Sequence, residues 1–217
     1  MVTGVVRNEA GFSLVELLIA MGISLAVMAA ATTLARGVQQ TYQHQLHDVT
    51  VEQEARYALD WMSRTIVTAG SNPYSVNITN CPAAGTAVQP IRIDPDADGI
   101  NDDIRIQTDS RPNGLILGAP GACNEPNEDI TIAHDGPPNN VIRRFDRGVD
   151  AAPVAMTEGI FTQLRFTYLT ANMAVTSVPG SIRFVRIAVQ GQSRGRNPHT
   201  GQFTTFSLQQ DVRLRTE

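Results

Sequence analysis

The chain has 217 residues, one Trp, two Cys and a formal net charge of −4, enough for one ordinary core and a further segment but not for a large multidomain enzyme. All 17 basic residues are Arg, which excludes Lys-dependent chemistry such as a Walker-type phosphate loop, a Schiff base or a Ser-Lys dyad. Mean hydropathy is −0.12, yet the apolar content is concentrated near the N-terminus.

The 24 residues Phe12–Ala35 carry one formal charge, Glu16. As a helix this run measures about 36 Å, sufficient to cross a bilayer. The leader before it holds Arg7, and Arg36 is the first charge after it, so charge bias alone specifies orientation only weakly. An intramembrane carboxylate is costly and calls for a compensating partner. Gly22, Ala26 and Ala30, spaced by four, form a small-residue face on which helix backbones can approach closely. A segment that packs against other helices explains both features better than a cleaved secretory signal or a plain single-pass anchor does.

The residues Gly11-Phe12-Ser13-Leu14-Val15-Glu16-Leu17 and the apolar run behind them resemble the class III signal of type IV pilins and type II secretion pseudopilins. The resemblance implies cleavage by a prepilin peptidase between Gly11 and Phe12 and methylation of the new N-terminus at Phe12. It also implies that Glu16 is compensated by the Phe12 amine of a neighbouring subunit during filament entry. Many major pilins carry a proline about two-thirds through this run. Ala31-Thr32-Thr33-Leu34 has none, which fits a minor component at least as well as a repeating major subunit.

Beyond Arg36 the helical pattern continues. Val38, Tyr42, Leu46 and Val49 form one stripe, and Ala55, Leu59, Met62, Ile66 and Ala69 its continuation. Gly70 and Pro73 supply the stop. The second half of this helix is expected to line the core of a head domain.

From Ser71 onward, turn signals alternate with short strand-like runs. The predicted strands are 91–93, 104–107, 115–117, 129–133, 141–145, 161–169, 182–190 and 202–215. The fold class is therefore α+β, a long N-terminal helix packed on a β-rich pilin-like head. Its segments are a leader (1–11), a transmembrane and assembly helix (12–36), an amphipathic continuation (37–70) and the head (71–217). The strand layout of the last 90 or so residues resembles PilW-like minor pilins and, less specifically, the minor pseudopilin J of type II secretion.

Cys81 and Cys123 are most simply one disulfide in an exported head. Inside the loop they would close lies Asp94-Pro95-Asp96-Ala97-Asp98-Gly99-Ile100-Asn101-Asp102-Asp103, which has the DxDxDG pattern of calcium loops. Asp94, Asp96, Asp98, the Ile100 carbonyl and Asp102 are the expected Ca2+ ligands, against the alternative of a solvated Asp-rich turn. The loop is not an EF-hand, because Arg105 occupies the twelfth position where such a loop has its bidentate Glu.

Ten Arg face five acids in the last 75 residues. This basic bias suits subunit contact better than nucleic acid, for which no fold signature is present. The four His lack a paired acid or third ligand at a telling spacing, and no catalytic site is expected.

The leading expectation is a structural minor pilin. It would be held in the bacterial inner membrane with its head in the periplasm, then assembled with other minor and major pilins into a type IV pilus at the cell surface. The alternatives are a type II secretion pseudopilin and a tip adhesin or DNA-uptake module.

Overall fold

The computed structural model describes residues 11, 13–71, 79–81, 88–111, 115–117, 125–197 and 200–215. The helix α1 (Leu14–Val67) is followed by β1 (Thr79–Cys81), β2 (Ile91–Ile93), β3 (Asp103–Gln107), β4 (Leu115–Leu117), β5 (Asp129–Asp135), β6 (Val141–Asp146) and β7 (Val154–Ala155). After these come β8 (Phe161–Leu169), a 3-10 turn at Pro179–Ser181, β9 (Phe184–Arg196) and β10 (Phe203–Arg213). This is the α+β class expected from the sequence. The chain divides into two compact units, one up to Leu46 and one from His47 onward.

In the first unit, α1 is helical and exposed throughout its apolar run. No proline interrupts it, and the Thr32 and Thr33 hydroxyls donate to the Ala29 and Ala30 carbonyls at 2.9 and 2.8 Å. Each hydroxyl is thus satisfied within its own helix, as an apolar environment requires.

Among the described residues, the second unit contains the rest of α1 and three sheets. The largest has the order β2-β3-β5-β6-β7 and is antiparallel throughout, with Ile104 opposite Ile132 and Ile132 opposite Arg144. A second antiparallel sheet has the order β10-β9-β8, and β1 pairs with β4 in parallel. The alternation expected in β8 holds, since Leu164, Phe166 and Tyr168 are buried while Gln163 and Arg165 are exposed. The Asn101 carbonyl accepts from the Phe166 N–H at 2.7 Å, tying the chain just before β3 to the second sheet.

The core unites Ala55, Met62 and Ile66 of α1 with the inward Ile residues of β3, β5 and β6 and with Phe161, Phe166, Val185 and Ile187. Phe161 meets Phe206 edge-on, ring centroids 5.9 Å apart. Gly191 makes that approach possible. A Cβ there would lie 2.3 Å from the Phe206 ring and 2.5 Å from the Ile160 carbonyl.

The helix stop is also where the sequence placed it. Gly70 has φ +72°, and its N–H donates to the Gln107 carbonyl at 2.9 Å. A Cβ at Gly70 would press on Pro90 at 3.0 Å, so left-handed backbone and close approach both require glycine.

One expectation is corrected. Only the continuation stripe lines the core, because burial on α1 begins at Val51, whereas Val38, Tyr42, Leu46 and Val49 are exposed. Helical periodicity identifies a face able to be buried without supplying the neighbour that buries it.

Candidate functional sites on the helix and the acidic loop

The first turn of α1 opens with the Leu17 N–H donating to the Ser13 carbonyl at 3.1 Å. Glu16 lies in that turn, where a carboxylate is favoured by the unpaired N–H groups of a helix start. Gly11 is exposed just ahead of the helix, and Phe12 lies outside the described residues. Leu14, Val15, Leu17, Leu18 and Ile19 surround Glu16 and are all more than half exposed. By length and composition α1 can cross a membrane. The small-residue face is open, with nothing within 4 Å of a Cβ built at Gly22.

The acidic loop joins β2 to β3. Its turns need positive φ at Asp94 (48°), Ala97 (65°) and Gly99 (84°). One Asp94 oxygen accepts from the Asp98 N–H at 3.2 Å and the other from the Gly99 N–H at 3.0 Å. The Asp98 carboxylate accepts from the Ile100 N–H at 2.7 Å. Asp103 opens β3 and accepts from the Asp96 N–H at 3.2 Å through Oδ2.

The carboxylates that converge are those of Asp94, Asp96 and Asp103, with one oxygen from each lying within 4.8 Å of the others. Two of these were expected as ligands from the sequence. Asp98 caps the Ile100 N–H, the Ile100 side chain is exposed, and Asp102 is half-buried on the turn into β3. Asp103 is the residue that alternate spacing missed. Its signal is the doubled acid Asp102-Asp103 at a strand start, where the second acid falls on the same face of β3 as Arg105 and Gln107.

Burial, and then the negative charges of Asp96 and Asp94, push the Asp103 carboxyl up to about 7. Burial also raises Asp102, with the charge of Asp98 acting in the same direction. Arg105, at the twelfth loop position, turns away from this cluster. Its Nε and Nη2 donate to the two oxygens of Asp129 at 2.7 and 2.5 Å, and Arg147 donates to the same carboxylate at 3.0 Å.

The arginines of the C-terminal part are largely engaged within the chain. Arg143 pairs with Asp135, Arg144 with Asp150, Arg186 with Asp211, and Arg194 with Glu158. Cys123 and the side chain of Cys81 lie outside the described residues.

These features define an apolar-helix protein with a β-rich head. Residues 6–32 match the family described as prokaryotic N-terminal methylation motif, which contains the Gly11–Phe12 junction and Glu16. The match supports a type IV pilin or pseudopilin, with prepilin peptidase processing and assembly with other pilins. No curated protein and no solved structure matches the chain.

Proposed function

We infer that the chain is a non-catalytic minor pilin, processed between Gly11 and Phe12 and assembled into a type IV pilus, which it initiates or tips. One observation carries this reading: a carboxylate, Glu16, sits in the first turn of an exposed apolar helix inside the methylation motif. A lone acid in such a segment is costly unless a cation meets it. The amine released at Phe12 by cleavage supplies that cation on a neighbouring copy. The open face at Gly22, Ala26 and Ala30 supports close helix packing in the filament.

Before assembly the helix anchors the chain in the inner membrane with the head in the periplasm. The exposed stripe at Val38, Tyr42, Leu46 and Val49 is the surface to be covered on assembly. Its partners are other minor and major pilins.

The test separates processing from assembly. Mass spectrometry of Glu16→Val should show the mature methylated N-terminus at Phe12 while the variant fails to enter sheared fibres. Normal fibre entry by the variant overturns the pairing, and an intact leader on the native protein overturns the family reading. The corresponding secretion pseudopilin is distinguished by deletion of the chain, which abolishes pili under the proposed reading and protein secretion under the other.

A further inference from the structure

We propose that Asp94, Asp96 and Asp103 form a calcium site anchored on the buried carboxylate of Asp103. The acidic loop alone would not establish one, because exposed carboxylates at a turn are ordinarily solvated. Asp103 differs from a solvated acid in that it is only 2% exposed. Its Oδ2 accepts from the Asp96 N–H, and its Oδ1 is buried without a hydrogen-bond partner. A carboxylate oxygen held out of water with nothing to meet it carries a desolvation cost that a cation would remove.

Among the described residues no Arg or His pairs with Asp94, Asp96 or Asp103. The nearest candidate along the strand, Arg105, is held in both directions by Asp129. Three carboxylates thus face one another within 4.8 Å with no counter-charge paired to them among the described residues.

The donor chemistry selects the ion. The three ligand groups offer oxygen only, the set that hard divalent cations take and that zinc or copper sites rarely use alone. Calcium accepts 6 to 8 oxygens in flexible geometry, completed by water or carbonyls, whereas magnesium demands near-ideal octahedral placement. The N–H groups that Asp94 accepts from Asp98 and Gly99 leave its remaining lone pairs free, since an ionised carboxylate has about four. Asp98 holds the loop in shape by accepting from the Ile100 N–H and is not among the three carboxylates that converge.

The Tyr168 hydroxyl lies 3.5 Å from the Asp103 carbonyl oxygen, which supplies a spectroscopic reporter. Full-length protein in detergent micelles is stripped of divalent ions with chelator and titrated with calcium, following thermal melting. In parallel it is titrated with terbium, following luminescence under tyrosine excitation. Calcium at about 100 times its Kd raises Tm by roughly 5–10 °C, terbium luminescence appears, and calcium displaces it.

Asp103→Asn abolishes both signals and melts no lower than the native protein in chelator, because it neutralises an unpartnered buried charge. Should that variant fail to fold, Asp96→Asn, altering an exposed side chain, carries the same test. Asp98→Asn retains both signals. The proposal is overturned by the absence of both signals at millimolar calcium, by an equal Tm rise with magnesium, or by loss of response in Asp98→Asn with retention in Asp96→Asn.

Discussion

Arg105 of β3 reaches diagonally to Asp129 of β5, whose register partner is Gln107, with two hydrogen bonds of 2.7 and 2.5 Å, and Asp129 is fully buried. Arg147 adds a third bond to Asp129 at 3.0 Å, and the Gln107 amide a fourth at 3.2 Å. The carboxylate therefore has a fixed fork on one side and satisfied lone pairs on the other, as a buried charge requires.

Replacing Asp129 by Ala leaves two partly buried guanidinium groups without their anion. The expected loss is about 3–5 kcal/mol, measured as a lower urea midpoint at unchanged m-value. Arg105→Lys keeps the charge and loses the fork, so its loss should be smaller. Equal stability of Asp129→Ala and the native chain would contradict the account of this sheet.

The helix offers a second test, because its two apolar stripes have different fates. Met62 is fully buried and Val38 is 69% exposed. Met62→Ala should cost about 2–5 kcal/mol in the monomer, whereas Val38→Ser should fall within about 0.5 kcal/mol of the native chain. If the outer stripe is an assembly surface, Val38→Ser combined with Leu46→Ser lowers recovery in sheared fibres without lowering the melting temperature. A matching fall in melting temperature would place the stripe in the monomer's own core.

These contrasts show which physical signals survive in a linear sequence. The 3.6-residue stripe ending at Ala69 and the Gly70 stop were legible because helix periodicity and positive φ are local properties. So was the alternation in β8, whose Leu164, Phe166 and Tyr168 turn inward. The strands β1 and β7 were not: β2 and β4 are as short as β1 but carry the strand-forming triplets Ile91-Arg92-Ile93 and Leu115-Ile116-Leu117, whereas Thr79-Asn80-Cys81 and Val154-Ala155 offer no such run and exist only through their partners. For the same reason the loop spacing identified Asp94 and Asp96 but not Asp103, whose burial arises only when β3 pairs with β2 and β5.

The expected Cys81–Cys123 bond gives a third prediction, resting on export and the even cysteine pair. Alkylation under denaturing, non-reducing conditions should label neither thiol in periplasmic protein. The double Cys→Ser variant should lose about 2–5 kcal/mol. Two labelled thiols would show the pair to be free.

Glu128 provides the pH test. Its side chain is fully buried, with one oxygen accepting from the Arg111 N–H at 3.0 Å and the Ser110 hydroxyl at 3.4 Å, while Oε2 lacks a partner. Burial pushes its carboxyl from an ordinary 4.5 up to about 7, with the charges of Glu125 and Asp109 adding to the rise. Between these two values the folded chain keeps a proton that the unfolded chain releases. Stability therefore falls as pH rises, from its full value below 4.5 to its lowest above 7. Glu128→Gln cannot ionise and should be flatter over this window, gaining on the order of 1–3 kcal/mol relative to the native chain at pH values above it. Asp103 titrates in the same region in both proteins, so the difference between the two urea-midpoint curves isolates Glu128. Parallel curves, or a native protein that grows more stable from acid to neutral pH relative to Glu128→Gln, would show that this carboxyl enters the fold already ionised and paired.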